Sequence, residues 1–285
     1  MTTPIVAQDV RKRYGDVEAV VDVTLEVAEG ECVALLGPNG AGKTTFTEIL
    51  EGYRHRDAGS VRVLDLDPEN ATSAWRSRIG IVLQTARDLP DLTVEESVGH
   101  FSGYFASPEP LEVVLEQVGL QEKRDSRVDK LSGGQRRRLD VALGIVGRPE
   151  LLFLDEPTTG FDPEARRQFW DLIDALSARG TTILLTTHYL EEAERLADKV
   201  AVIAGGRVVA FDRPDQIGGR QLGLARVRWL ADGSVLEEQT DEPTRVVQQL
   251  AARFGGEVPG LEVHKPTLED IYLELIGHRG AGSDD

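Results

Sequence analysis

The chain has 285 residues, and its 32 Lys and Arg against 49 Asp and Glu give a formal net charge of −17. This balance excludes an evenly basic nucleic-acid-binding surface, because neither the first 210 residues nor the remainder is basic. With 40% hydrophobic and 28% charged residues, the composition is that of a globular protein with an ample core, and the length suits one large domain or one plus an appendage.

The sequence carries no signal for membrane insertion or secretion. No apolar run approaches the ~20 residues that span a bilayer. The first ten residues lack the basic start and apolar core of a signal peptide, so we predict a cytoplasmic protein. Cys32 is the only cysteine and lies in the apolar run 32–36, which favours a core residue over a reactive thiol.

Apolar patterning predicts a mixed α/β fold. The first thirty residues alternate apolar and polar, which is typical of antiparallel strands. A buried strand at 33–36 is then followed by a glycine-rich loop and a helix that begins at Lys43. Continuous apolar runs, which favour a mostly parallel sheet, predict further buried strands at 79–83, 151–154, 183–186 and 200–203.

The pattern also predicts boundaries along the chain. Residues 91–135 are helical in pattern with no strong strand, as in an inserted helical lobe. After Pro214 and the Gly218-Gly219 pair, the order is strand, strand, helix, strand, helix. We therefore predict a main domain at 1–215 with a helical lobe at about 88–148, a small α+β appendage at 221–276, and a flexible tail at 277–285.

The loop at 37–44 matches the phosphate-binding pattern G-x-x-x-x-G-K-[ST]. Its glycines allow backbone N–H groups to curl around phosphate oxygens, and the following helix directs its positive end toward them. In this interpretation Lys43 reaches the β- and γ-phosphates and Thr44 offers a hydroxyl to Mg²⁺. The alternative is a glycine-rich turn with a surface lysine, but the flanking strand and helix favour the phosphate site.

Two adjacent carboxylates, Asp155 and Glu156, end the apolar run 151–154. A buried strand has no structural need for them at its carboxyl end, which is where ligands bind in open α/β sheets. Asp155 is predicted to hold Mg²⁺, and Glu156 to polarise an attacking water. Taken alone, the pair is as often a turn; together with the 37–44 loop it favours a catalytic site.

The segment Leu131-Ser132-Gly133-Gly134-Gln135 has the spacing of a helix capping box, with Ser132 as N-cap and Gln135 three positions later. Capping explains Ser132 and Gln135 but not the two glycines, each of which weakens a helix by about 1 kcal/mol relative to Ala. Bare backbone at a helix N-terminus suits an approaching phosphate.

These motifs in this order, GPNGAGKT, LSGGQ and then Asp-Glu 20 residues after Gln135, resemble the ATPases of ABC transporters over roughly residues 5–215. The resemblance implies a P-loop NTPase fold of ABC type with an antiparallel β subdomain. It assigns Tyr14 to adenine stacking, Gln84 to sensing Mg²⁺ and the γ-phosphate, His188 to the γ-phosphate, and Asp162 to the dimer loop. The implied nucleotide-binding set is Tyr14, Gly37, Pro38, Asn39, Gly40, Ala41, Gly42, Lys43, Thr44 and Thr45.

The same resemblance implies a head-to-tail dimer, either of two copies or with a different ATPase subunit. ATP would lie between the 37–44 loop of one subunit and Ser132, Gly133, Gly134 and Gln135 of the other. The segments 155–167 and 265–275 look most like bacterial ABC-2 type exporters, including drug-resistance subunits. Separate membrane permease chains would complete the transporter at the cytoplasmic face, docking near 84–102, with no nucleic-acid partner.

Three alternatives remain at this stage. An importer ATPase would differ only in the permease that it meets. A soluble ABC ATPase acting in translation or DNA maintenance usually carries coiled-coil insertions, a second ATPase domain or basic surfaces, and none is evident here. A simple nucleotide kinase is disfavoured by LSGGQ and the adjacent Asp155 and Glu156.

Overall fold

A computed structural model describes residues 3–84, 90–231 and 233–280. Backbone proximity divides the chain into two compact units between Phe211 and Asp212. No helix within the described ranges is both long and apolar enough to cross a bilayer. The predicted start of the helical lobe, at about 88, falls on residues outside those ranges.

The described residues of the first unit form two sheets and seven α-helices. Its elements in chain order are β1 (Ile5–Tyr14), β2 (Val17–Val27), β3 (Cys32–Leu36), α1 (Lys43–Leu50), β4 (Ala58–Val63), α2 (Ser73–Arg76), β5 (Ile79–Val82), α3 (Val94–Ser102), α4 (Leu111–Val118), α5 (Gly133–Ile145), β6 (Leu151–Asp155), α6 (Pro163–Ser177), β7 (Thr182–Thr187), α7 (Leu190–Leu196), β8 (Lys199–Ala204) and β9 (Arg207–Asp212).

The main sheet has the strand order β5-β6-β7-β3-β8-β9. The pairs from β5 to β8 are parallel, which confirms the mostly parallel sheet predicted from the apolar runs. Every residue of β3 and β7 is buried, as expected for strands covered on both faces. The register pairs Leu36 with Thr187 and Asp155 with Thr186, so the carboxyl ends of β3, β6 and β7 meet at one edge.

The smaller sheet of this unit, in the order β2-β1-β4, is antiparallel, as predicted for the first thirty residues. Its inward residues share one core with β3 and α1, which includes Leu25, Val63 and Phe46. Trp75 of α2 closes this core, and its indole N–H donates to the Val63 carbonyl at 2.8 Å. Burial of this much apolar surface fixes α1 against the sheet that precedes its loop.

Between β5 and β6 the described residues form helices and turns rather than strands. Thr93 caps α3 in a full capping box with Glu96. Ser132 caps α5 in the same way, with Gln135 as its reciprocal partner, so the predicted capping box is confirmed.

The second unit contains β10 (Ala225–Ala231), β11 (Ser234–Thr240), α8 (Pro243–Phe254), β12 (Glu262–His264) and α9 (Leu268–Gly280). Its antiparallel sheet has the order β11-β10-β12. One face of β10 packs on α8 around Val227, Trp229 and Leu250. Helix α9 runs to Gly280 rather than ending near 276, and residues 281–285 lie outside the described ranges.

Candidate active site

The loop between β3 and α1 is shaped by its glycines. Gly42 has φ +101°, and a side chain there would collide with the Ala19 carbonyl. Gly37 is equally constrained, because a Cβ would collide with the Ile203 carbonyl. The loop closes through an Ala41 N–H bond to the Pro38 carbonyl at 3.2 Å, while positions 38–40 are exposed. The loop therefore presents bare backbone to solvent directly before α1.

Lys43 opens α1 and is only 4% exposed. Its ammonium group donates to the carbonyls of Gly37 at 2.8 Å and Pro38 at 3.2 Å, within its own loop. Burial lowers the pKa of Lys43, and the nearby carboxylates of Glu156 and Asp155 oppose that shift. These bonds hold the Lys43 side chain against its own loop. The next two residues differ in exposure, since Thr44 is exposed and Thr45 is half-buried.

Asp155 and Glu156 end β6 beside β7, and Thr186 links them. Its hydroxyl donates to Asp155 Oδ1 at 2.6 Å and accepts from the Glu156 N–H at 3.0 Å. The same N–H also lies 3.1 Å from the Thr186 carbonyl oxygen. Glu156 has φ +42°, an unusual conformation for a residue other than glycine. The turn that separates the two carboxylates is therefore held from the neighbouring strand.

Four side chains converge on the Glu156 carboxylate. Lys43 Nζ lies 3.7 Å from Oε1, and Gln84 donates to Oε2 at 3.2 Å. Thr159 donates to the same oxygen at 3.4 Å. His188 Nδ1 lies 3.3 Å from Oε2 but has no hydrogen-bond partner among the residues that the structure describes, so the two groups are within ion-pair distance without hydrogen-bond alignment. The structure thus brings together the four candidate catalytic residues of the sequence, which are Lys43, Gln84, Glu156 and His188.

Tyr14 ends β1 with its ring 40% exposed. Lys12 Nζ and Arg54 Cζ each lie 5.4 Å from the ring centroid. Arg54 is fixed in turn by a bond from its Nε to Glu48 at 2.5 Å. The ring is therefore an exposed aromatic surface with cations beside it.

The Ser132–Gln135 segment borders a different cleft, of about 310 Å³. Residues 160–162, which precede α6, line its other side. Asp162 caps α6 by accepting the Ala165 N–H at 2.8 Å, and Phe161 packs edge-on against Phe169 with ring centroids 5.8 Å apart. The predicted residues thus fall into two places, one around Glu156 and one around the N-termini of α5 and α6.

Two participants in these networks were missed by sequence reasoning. Thr186 was only part of an apolar strand, although its position beside the Asp-Glu pair in a parallel register was the available signal. Glu192 of α7 is fully buried and accepts from Thr158 at 2.8 Å and from Trp170 at 3.4 Å. In the sequence Glu192 lies among charged residues that are typical of an exposed helix face, and no local signal distinguishes it from them.

The site combines a strand, a glycine-rich loop and a helix around a buried lysine, opposite a strand that ends in an Asp-Glu pair. This combination defines a P-loop nucleoside triphosphatase. Comparison with known proteins extends this class. The family model described as ABC transporter matches residues 20–159. A Nod factor export ATP-binding protein I from Bradyrhizobium diazoefficiens is 45% identical over 94% of each chain. Its counterpart from Burkholderia orbicola is 39% identical, covering 96% of this chain and 97% of that one.

Solved structures of ABC transporter ATP-binding subunits share this fold. An ATP-binding subunit of an ABC transporter matches with a TM-score of 0.71 at 24% identity, over 96% of this chain and 99% of that one. A dimeric bacterial ABC transporter cassette matches with a TM-score of 0.64 at 25% identity, over 73% and 98%. The chain belongs to the ABC transporter family as an ATP-binding subunit, and its activity is ATP hydrolysis.

The carboxyl group of Glu51, directly after the helix that follows the phosphate loop, makes the free energy of unfolding depend on pH. Burial raises the pKa of Glu51, which follows α1, from 4.5 to about 8, with the Asp155 and Glu48 charges adding to the shift. Because the folded-state pKa is raised, Glu51 destabilises the fold increasingly as pH rises from about 4.5 to about 8. Replacing Glu51 by Gln is expected to raise the free energy of unfolding by roughly 1–3 kcal/mol more at pH 8 than at pH 5.5, measured by denaturant unfolding at both pH values.

The control is Glu116→Gln, an exposed carboxylate on α4, whose loss should leave the free energy of unfolding unchanged at either pH. Equal shifts for Glu51→Gln at both pH values would contradict the pH linkage.

Proposed function

We propose that the chain is the ATPase subunit of an exporter, closing as a dimer around two ATP molecules to drive a separate membrane permease. The observation that carries the proposal is the convergence of Lys43, Gln84 and His188 on the Glu156 carboxylate. Export is supported by the relatives named Nod factor export ATP-binding proteins. The cargo class is a drug, lipid or other small compound.

Nucleotide binding is assigned to the exposed loop and to Tyr14. Backbone N–H groups of 37–44 and the N-terminus of α1 would hold the phosphates, with Lys43 supplying charge. The exposed Tyr14 ring offers adenine a stacking surface. The assigned residues are Tyr14, Gly37, Pro38, Asn39, Gly40, Ala41, Gly42, Lys43, Thr44 and Thr45.

Mg²⁺ fits the oxygen donors at the same strand ends. Thr44, Gln84 and Asp155 supply a hydroxyl, an amide and a carboxylate, which are hard ligands of the kind that Mg²⁺ prefers. Within the described ranges no group of three or more His, Cys, Asp or Glu is arranged to hold a metal, and Mg²⁺ is usually bound through one or two carboxylates and substrate phosphates. The ion would neutralise charge between the β- and γ-phosphates.

In hydrolysis, a water molecule attacks the γ-phosphorus and transfers a proton to the Glu156 carboxylate as the bond to the β-phosphate oxygen breaks. Gln84 and Thr159 hold one carboxylate oxygen by hydrogen bonds. His188, 3.3 Å from the same oxygen, is assigned to the γ-phosphate. Gln84 and Thr159 therefore orient the base, and His188 would contact the phosphoryl group that water attacks.

Dimerisation would supply hydrogen-bond donors to the part of the γ-phosphate that the phosphate loop does not surround. Ser132, Gly133, Gly134 and Gln135, at the positive end of α5, would face the γ-phosphate bound by the partner subunit. Asp162, across the same cleft, is assigned to the dimer loop. A dimeric form is supported by the solved dimeric cassette. The second subunit is either another copy or a different ATPase.

The domain assignment follows the same division. We assign ATP hydrolysis to residues 1–215, with the helical lobe at about 88–148, and treat 221–280, through the end of α9, as an appended α+β domain. The permease would dock on the lobe near 84–102, placing the subunit at the cytoplasmic face of the plasma membrane. His100, Phe101 and Tyr104 form an edge-to-face aromatic group there, with Tyr104 70% exposed.

The Glu156→Gln variant is expected to bind MgATP normally but to lose turnover by roughly 10²–10⁴-fold, because an amide cannot accept the proton from water. It should accumulate as an ATP-bound dimer, measured by light scattering alongside phosphate release. Glu116→Gln, an exposed change on α4, serves as control. Unchanged hydrolysis in Glu156→Gln would eliminate Glu156 as the base.

The Lys43→Ala variant is expected to weaken ATP binding by roughly 10–100-fold, because a buried charge that contacts phosphate is lost. Isothermal titration with a non-hydrolysable analogue measures this directly. Lys123→Ala, an exposed change on the lobe, should leave affinity unchanged. Equal affinity in Lys43→Ala and the parent would contradict the phosphate role.

The permease proposal is tested by affinity purification of the tagged chain from gently solubilised cells. A stoichiometric protein with several hydrophobic spans is the expected companion, and Tyr104→Asp should reduce its recovery while Val235→Asp, an exposed apolar position in the second unit, does not. An importer permease would overturn export. Soluble recovery with ribosomal or DNA-associated partners would overturn transport.

A further inference from the structure

Arg137 lies in the second turn of α5, five residues after Ser132, and is 6% exposed. Its guanidinium donates to three backbone carbonyls. Nε donates to Pro157 at 3.0 Å, Nη2 to Asp155 at 3.0 Å, and Nη1 to Leu83.

The three carbonyls belong to the two strand ends that carry the catalytic group. Asp155 and Pro157 flank Glu156 on either side, and Leu83 immediately precedes Gln84. One side chain therefore holds the backbone on both sides of the proposed base and also the backbone leading to its amide partner. The planar fork of an arginine suits this task, since its donors point in fixed divergent directions.

The Glu156 backbone needs such support. A residue other than glycine at φ +42° is strained and persists only where the surroundings determine it. Thr186 binds the Glu156 N–H from β7, and Arg137 binds the flanking carbonyls from α5. The strained turn is thereby fixed from two independent elements.

Burying a guanidinium is costly, and burial lowers the pKa of Arg137, opposed by the neighbouring Asp140 at 3.7 Å. An apolar side chain would avoid this cost but would leave three carbonyls without these donors. The charged group is therefore suited to a positional purpose rather than to packing alone.

We infer that Arg137 is a positioning residue for ATP hydrolysis, holding the Glu156 carboxylate and Gln84 in one fixed arrangement from the helix that begins at Ser132. The inference rests on the proposed role of Glu156 as base. Because Arg137 binds backbone carbonyls beside the base and not the phosphate loop, its loss should impair the chemical step while leaving the phosphate loop and Lys43 in place.

The test measures kcat, KM and equilibrium ATP affinity for Arg137→Met and Arg137→Lys. We expect kcat to fall roughly 10–100-fold in Arg137→Met while ATP affinity changes less than about 3-fold, and Arg137→Lys to recover part of kcat through its single ammonium group. Arg56→Met is the matched control. Arg56 is also a mostly buried arginine, bonded to Gly59 and Asp67 in the antiparallel region, and its loss should not reduce kcat selectively.

The Glu156→Gln variant, measured in parallel, separates the two claims. Full turnover in Glu156→Gln would remove the proposed base whatever Arg137 does. If Glu156→Gln loses turnover but Arg137→Met keeps the parental kcat, only the positioning role of Arg137 is overturned. Equal losses in affinity and kcat would also overturn it, as general disruption of the site. If Arg137→Met does not fold, Arg137→Lys decides: a selective fall in kcat supports the inference, and parental kcat overturns it.

Discussion

The parallel register of the main sheet is the constraint on which the site depends. It sets Leu36 beside Thr187 and Asp155 beside Thr186, so that strands far apart in sequence end at one edge. The loop that follows each strand then delivers one component: the phosphate loop after β3, Gln84 after β5, the carboxylates after β6 and His188 after β7. A slip of one residue in β6 would turn its side chains to the other face and separate these groups.

Much of this arrangement could be predicted from sequence because its signals are local. Continuous apolar runs identified the buried strands, the Gly37–Thr44 pattern identified the loop, and Ser132 with Gln135 identified a helix N-terminus. The resemblance to ABC ATPases supplied Gln84 and His188, for which no local pattern exists, and the structure brings both to Glu156. Helix α9 exceeded its predicted end because the glycines there were interpreted as a terminus.

The remainder depends on tertiary contacts. Arg137 lies in a run of three arginines that reads as a solvated face, and only the docking of α5 on the ends of β5 and β6 makes it a buried donor. Thr186 is one more residue of an apolar strand until its neighbour is known to be Asp155. The positive φ of Glu156 follows from the bonds on either side of it rather than from its own preference.

Several assigned residues serve the folded subunit as well as the proposed dimer. Asp162 caps α6, and Gln135 completes the box that begins α5. Around Glu156 several residues share one partner. Lys43, Gln84 and Thr159 contact its carboxylate. Thr186 and Arg137 hold its backbone. Groups that share one partner do not contribute independently, so the effects of substitutions within this set will not add. The site therefore acts as a unit, and the contribution of any one residue has meaning only with its neighbours in place.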